Sequence, residues 1–273
     1  MVARRARSRI ALIALLAGAR AALAAPAEEG PIQDNSFLLE EAYNQERRVV
    51  QHISTYTLAS GSHDAIYTFT QEWPAGGLAH QLSYTVPVQN LPESGGGTHF
   101  GDVALNYRYQ LVGSGETRVA CSPRVTLLLP TGSARKGYGA GALGTQLDVP
   151  VSVVASRAFV FHVNAGATLV PHAENAAGDE ATTFGQNLGA SVVWLAHPRF
   201  NALVEAVHSR TQDVTGPGAA RTRGATVISP GIRWAHDFPS GLQIVPGIAF
   251  PIGVGASAGE RSLLLYLSFE HPF

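Results

Sequence analysis

The chain is short of charge: Asp, Glu, Lys and Arg make up 14% of its 273 residues, against about 25% in ordinary soluble domains. Beyond its first thirty residues it also lacks a long apolar run, although 45% of its residues are hydrophobic. A membrane helix needs roughly 18 or more consecutive apolar residues, which excludes a helical membrane protein. The apolar residues must therefore be spread along the chain in short pieces. A single cysteine, Cys121, excludes an internal disulfide,. A net charge of −1 provides no basic field for nucleic acid,. The ten histidines are scattered, with no local pair at ligand spacing, so neither a metal nor another cofactor is expected,.

What is present begins with an export signal. Arg4, Arg5, Arg7 and Arg9 precede an apolar stretch from Ile10 to Ala19, and Ala22-Leu23-Ala24 supplies the small residues of a cleavage site,. The expected organisation is a signal peptide at 1–24, a periplasmic or plug segment at 25–48, and the main domain at 49–273. From Val49 onward, runs of about ten residues alternate between apolar and polar side chains. In a strand such alternation places one face against an apolar medium and the other against a polar one. The clearest run sets Val103, Leu105, Tyr107, Tyr109 and Leu111 against Asp102, Asn106, Arg108 and Gln110. A soluble sandwich also alternates, but its water-facing side usually carries many Lys and Glu, whereas here that side is rich in Ala, Gly, Ser and Asn.

Connections provide a second signal. Short ones at 73–77, 113–116, 155–157, 196–199 and 237–241 alternate with longer ones at 58–64, 89–100, 130–144, 170–183, 209–224 and 253–262. Short turns on one side and longer loops on the other characterise a membrane β-barrel. Six loops and five turns require twelve strands, with both ends of the domain on the turn side. Trp73, Trp194 and Trp234 each close a strand just before a short turn, which suits an aromatic girdle at headgroup level. The chain ends on an alternating strand through Phe269 to Phe273, suited to the barrel assembly machinery. The fold expected is an all-β, transmembrane antiparallel barrel of about twelve strands in the outer membrane of a Gram-negative bacterium. A short N-terminal helical or plug segment precedes it, with a helix capped at Asn35 or Ser36 and running over 37–46.

Two stretches resemble a known family. Asp34-Asn35-Ser36-Phe37-Leu38-Leu39-Glu40-Glu41-Ala42-Tyr43-Asn44-Gln45-Glu46 followed by Val49-Val50-Gln51-His52, and Phe100-Gly101-Asp102-Val103-Ala104-Leu105-Asn106-Tyr107-Arg108-Tyr109-Gln110-Leu111, are similar to outer-membrane proteins labelled as transporters of the MetA pathway of phenol degradation. The resemblance implies a barrel that takes up small or aromatic molecules, with no catalytic motif to carry over.

Alternation alone makes Asp102, Asn106, Arg108, Arg118, Arg124, Asp148, Glu205, Arg233 and Glu270 the inward, lumen-lining candidates. Charges of both signs can select among small solutes, or can pair and fill the lumen. The expected partners are a small-molecule solute, outer-membrane lipid and lipopolysaccharide, and the assembly machinery, with no nucleic acid. An anchor whose loops bind a partner is the second reading. A lipid hydrolase is the third: His52 and Ser54 share a strand face, but nothing marks a third orienting group. Gly139, Gly141 and Gly144 beside Arg135 and Lys136 read as a mobile extracellular loop rather than a phosphate cradle, since no helix follows them.

Overall fold

The computed structural model describes residues 32–273; the expected signal peptide lies outside the described residues. Twelve antiparallel strands close into a barrel. They are β1 (Val49–Ala59), β2 (Ala65–Pro74), β3 (His80–Asn90), β4 (Thr98–Phe100 and Val103–Tyr109), β5 (Val119–Cys121 and Arg124–Leu129) and β6 (Gly144–Val154). There follow β7 (Phe159–Glu174), β8 (Glu180–His197), β9 (Phe200–Gly216), β10 (Ala219–Trp234), β11 (Gln243–Ala249 and Ile252–Val254) and β12 (Ser262–Pro272). Each strand pairs with its neighbours in sequence, and β12 returns to β1 along the full register Val49↔Pro272 to Ala59↔Ser262. Closure leaves no free edge, so the backbone hydrogen bonds are satisfied within the wall, as a bilayer demands.

Cross-strand partners point to the same face, and the register carries one outward row around the barrel. Tyr107 lies opposite Leu82 and Val125, Leu147 opposite Val125 and Ala167, Val192 opposite Phe161 and Val204, and Leu265 opposite Tyr56 and Ile248. Apart from the half-buried Ala167 and Ile248, these residues are large, apolar and exposed. In water so extensive an apolar surface would aggregate; in hydrocarbon it is the required surface. Trp194 (51% exposed) and Trp234 (43% exposed) stand on it at the turn end, opposite Phe159 and Phe200. Trp73 lies opposite Leu82 on the same face and packs edge-on against Tyr84. Phe269, opposite His52 and Ile244, also faces outward.

Two expected loops are strand instead. The ladder between β7 and β8 continues to Glu174↔Glu180, and that between β9 and β10 to Gly216↔Ala219. Pro217 and Gly218, the latter at φ +67°, reverse the second hairpin in two residues,. These strands of 16 to 18 residues exceed the roughly 9–11 that cross a bilayer,. Above the hydrocarbon both faces of a hairpin meet water, so the strand persists while the apolar alternation that marks it in sequence vanishes. The 130–143 connection also differs from a free loop. It folds in, burying Ala134 and Tyr138, while the Asp102 carboxylate accepts the N–H groups of Gly132 and Ala140 at 2.9 and 2.7 Å.

Candidate functional site: a plug in the lumen

Residues 32–46 do not form the expected helix; they run as an irregular re-entrant segment with bends at 37–39 and 42, and a turn at 47–48 leads into β1. Leu, Glu and Ala favour helix here, but propensity is a weak prior that tertiary contacts override. The backbone groups that a helix would pair internally are met by side chains of the barrel wall. The N–H groups of Leu38 and Leu39 both donate to Glu205 Oε1 on β9, at 2.9 and 3.0 Å. Ala42 N–H donates to Ser152 Oγ on β6 at 2.8 Å, Asn44 N–H to Gln110 at 3.0 Å, and Gln45 N–H to Gln81 on β3 at 2.7 Å. Arg233 on β10 donates to the carbonyl oxygens of Ile32, Asp34 and Asn35, and Arg108 on β4 to those of Glu41 and Tyr43.

Charges complete the grip. Glu40 pairs with both Arg108 and Arg124, reaching β4 and β5 at once. Glu41 lies 3.0 Å from the Arg233 guanidinium and 3.6 Å from His162 Nε2 on β7. Asp34 accepts from Tyr266 Oη on β12 and from Gln51 Nε2 on β1, both at 2.6 Å. Burial pushes the Asp34 carboxyl above the usual carboxylate range, against the pull of the Arg233 guanidinium. Burial likewise pushes the Tyr43 phenol up to about 12. Polar contacts thus tie the segment to nine strands: β1, β3, β4, β5, β6, β7, β9, β10 and β12.

The remaining contacts are apolar and lie to one side. Ile32 and Phe37 join inward-facing Val160, Val193, Leu203, Val245, Leu264 and Tyr266 in one buried cluster. Phe37 sits so close to Gly231 on β10 and Gly247 on β11 that a Cβ at either would fall 2.5 Å from its ring. Leu39 does the same at Gly189 on β8, at 2.4 Å. Glycine is needed at these wall positions because the plug occupies the space a side chain would fill.

Most of the residues expected to line the lumen do face inward, and several hold the plug. Arg108, Arg124, Glu205 and Arg233 contact it directly; Arg233 is 1% exposed and Glu205 fully buried. Asn106 bonds Ser83 and Thr126, while Asp148 accepts from Asn164 and Asn187 at 3.1 and 3.2 Å, so both knit the wall. Glu270 faces inward opposite Gln51 and Gln243. Asp102 is spent on the 130–143 connection at the rim. Arg118 departs from the expectation: it is exposed in the turn-side connection before β5, because the regular alternation does not extend into that turn.

Ser152, His162, Tyr266 and Ser268 are also inward and buried, and nothing in their local sequence singles them out. The overlooked signal is a break in alternation. Val153-Val154, Val192-Val193, Leu203-Val204 and Leu264-Leu265 are consecutive apolar pairs, one member facing lipid and the other the plug or its apolar surroundings. His52 and Ser54 do share the outward face, yet His52 stacks on His271 and Phe69 while Ser54 bonds Tyr67 Oη at 3.0 Å. Ser152, His162 and Glu41 form a chain of contacts, with Ser152 Oγ 2.7 Å from His162 Nδ1. That hydroxyl accepts the Ala42 N–H and the chain is buried under the plug, so it acts as a fastening. Among the described residues, no group of three or more His, Cys, Asp or Glu is arranged to hold a metal ion.

The closed wall, the outward apolar row and the polar interior define a transmembrane antiparallel β-barrel of the outer-membrane type. No known protein family and no curated protein matches the chain by sequence. Among solved structures, it is similar to the COG4313 outer membrane channel from Pseudomonas putida F1, with a TM-score of 0.61 at 12% identity, over 89% of this chain and 100% of that one. It is also similar to the NanC porin, with a TM-score of 0.55 at 13% identity over 80% and 98% of the two chains. For the KdgM porin the TM-score is 0.50 at 6% identity, over 82% and 99%. At these identities the likeness is one of fold.

Proposed function

We propose that the protein is an outer-membrane channel for small solutes, and that residues 32–46 are its gate. The observation that carries this reading is the manner of plugging. A segment meant only to fill a barrel would be served by apolar packing alone, as in a core. This one is held largely by ion pairs and by hydrogen bonds to single side chains, which water can replace one by one as the segment leaves. Twelve strands give an interior wider than that of eight-strand barrels, which side chains alone fill. The porin and channel neighbours support transport. The resemblance to phenol-pathway transporters extends the proposal to aromatic solutes, for which Tyr266 on the wall, packed against Phe37 of the gate, offers aromatic surface once the gate leaves.

The proposed location is the outer membrane after signal cleavage, with the lipid-facing wall and the Phe269–Phe273 terminus serving insertion. The test is liposome swelling with the folded full-length mature chain and with a form lacking 32–46, in sugars, amino acids and aromatic acids. Uptake of at least one class, faster without the segment, is expected. No uptake by either form would leave a closed anchor and remove the channel reading.

A further inference from the structure

The outward wall is not smooth. A concavity of about 520 Å³ opens on it between β7 and β11, walled by Phe159, Trp194, Val204, Ile232, Ile248 and Phe250. Its floor includes Ala202, Pro230 and Gly231, small or ring-closed residues that hold the surface back. The ladder is incomplete there: β10 pairs with β11 at Gly231–Arg233 and again at Thr226–Ile228, while between them only Phe250 N–H reaches the Pro230 carbonyl, at 3.0 Å. Pro230 has no N–H to give and Pro251 interrupts β11,. The lining is almost wholly carbon.

Its place on the wall identifies an occupant. The concavity starts at Phe159 and Trp194, on the girdle at the turn end, and rises to Phe250 in the apolar band. Its volume is more than three times the ~150 Å³ of an apolar cavity that admits benzene. At its lower end, Arg157 is exposed in the turn leading into Phe159, and Arg199 follows the strand carrying Trp194, with its Nε 3.4 Å from Asp237. An apolar trough running up from an edge that carries exposed Arg157 beside the Arg199–Asp237 pair at headgroup level matches a phospholipid: tail in the trough, phosphate at Arg157,. We propose that this groove holds one acyl chain of a phospholipid of the turn-side leaflet, with preference for an anionic headgroup. The site concerns the outer face only and stands whether or not the lumen conducts.

The test takes the full-length mature chain from vesicles of dioleoyl phosphatidylcholine and dioleoyl phosphatidylglycerol into mild detergent, and counts retained lipid by native mass spectrometry. The unaltered protein is expected to carry one phospholipid, enriched in phosphatidylglycerol. Ala202→Trp, which fills the groove, should lower the retained fraction about tenfold by denying the tail its burial. Ala167→Trp, outward on β7 away from the groove, should leave it unchanged, and Arg157→Ala should abolish the phosphatidylglycerol preference. Heat-dependent gel mobility confirms that each variant is folded. Retention equal in Ala202→Trp and the unaltered chain, retention of added oleate but not of phospholipid, or a dimer with no bound lipid would each overturn the assignment.

Discussion

Deletion of residues 32–46, with the export segment kept, is expected to raise single-channel conductance by on the order of tenfold, because charge no longer blocks the lumen and its walls become water-accessible. The barrel should still assemble. The strand ladders, including the β1–β12 closure, make no use of the segment, and each backbone bond of the wall survives its removal. What the deletion exposes is a ring of groups the plug now satisfies: Arg108 and Arg124 without Glu40, Arg233 without Glu41 and Asp34, and Glu205 without two N–H donors. With the plug gone these groups are rehydrated, so the cost of their exposure is small. The emptied lumen would carry three arginines facing Asp148, Glu205, Glu270 and the buried Glu72 of β2, which lies opposite Gln51 and accepts from Gln81, a wall of mixed sign. Planar-bilayer recording of both forms measures the effect, and equal conductances would mean that the segment does not obstruct the path.

Replacing Arg233 by Met should be the most damaging single change. The guanidinium is fully enclosed and serves four acceptors at once, Glu41 Oε1 and three backbone carbonyls, while its charge also acts on the Asp34 carboxyl. Met fills a similar volume and donates nothing, leaving Glu41 and Asp34 buried without their cation. Removing one partner of such a pair costs about 3–5 kcal/mol. The plug is the part free to move, so the penalty should fall on its seating rather than on the barrel. The expected signature is a marked rise in proteolysis within 32–46 and in conductance, with the barrel's heat-dependent mobility little changed. Adding Glu41→Gln to Arg233→Met should recover part of the loss, since it removes one of the stranded charges. No recovery would show that Arg233 acts through the backbone carbonyls alone.

The barrel was legible because a bilayer imposes a simple rule on every strand, and period-two alternation is that rule written in sequence. Runs such as Val103 to Leu111 and the terminal Leu263 to Phe273 obey it, and the twelve strands and the outward tryptophans followed. The rule lapses where its cause lapses. Above the membrane, Thr211 to Gly216 and Ala219 to Arg223 have water on both faces, so the hairpin read as loop. In the turn before β5 the register is lost, and Arg118 was misplaced with it. The plug was half legible. Its apolar and acidic residues pointed toward the turn-side mouth, but its conformation depends on Glu205, Ser152, Arg108 and Arg233, which lie 60 to 200 positions away in sequence. No local propensity encodes that, and the segment's Leu-Glu composition spoke for helix. The wall's side of the contact was written in the sequence, as glycines at 189, 231 and 247 and as paired apolar residues in otherwise alternating strands.

The gate can be tested by locking it. A side chain placed at 189 would point straight at Leu39, an added Cβ falling 2.4 Å from Leu39 Cδ2, so Leu39→Cys with Gly189→Cys in a Cys121→Ser background sets two thiols within crosslinking reach. If the 32–46 segment must leave for solutes to pass, the oxidised protein admits none into liposomes, and a reductant restores swelling to the rate of the unlinked chain. Swelling that proceeds at the same rate in the oxidised and reduced states would contradict the account.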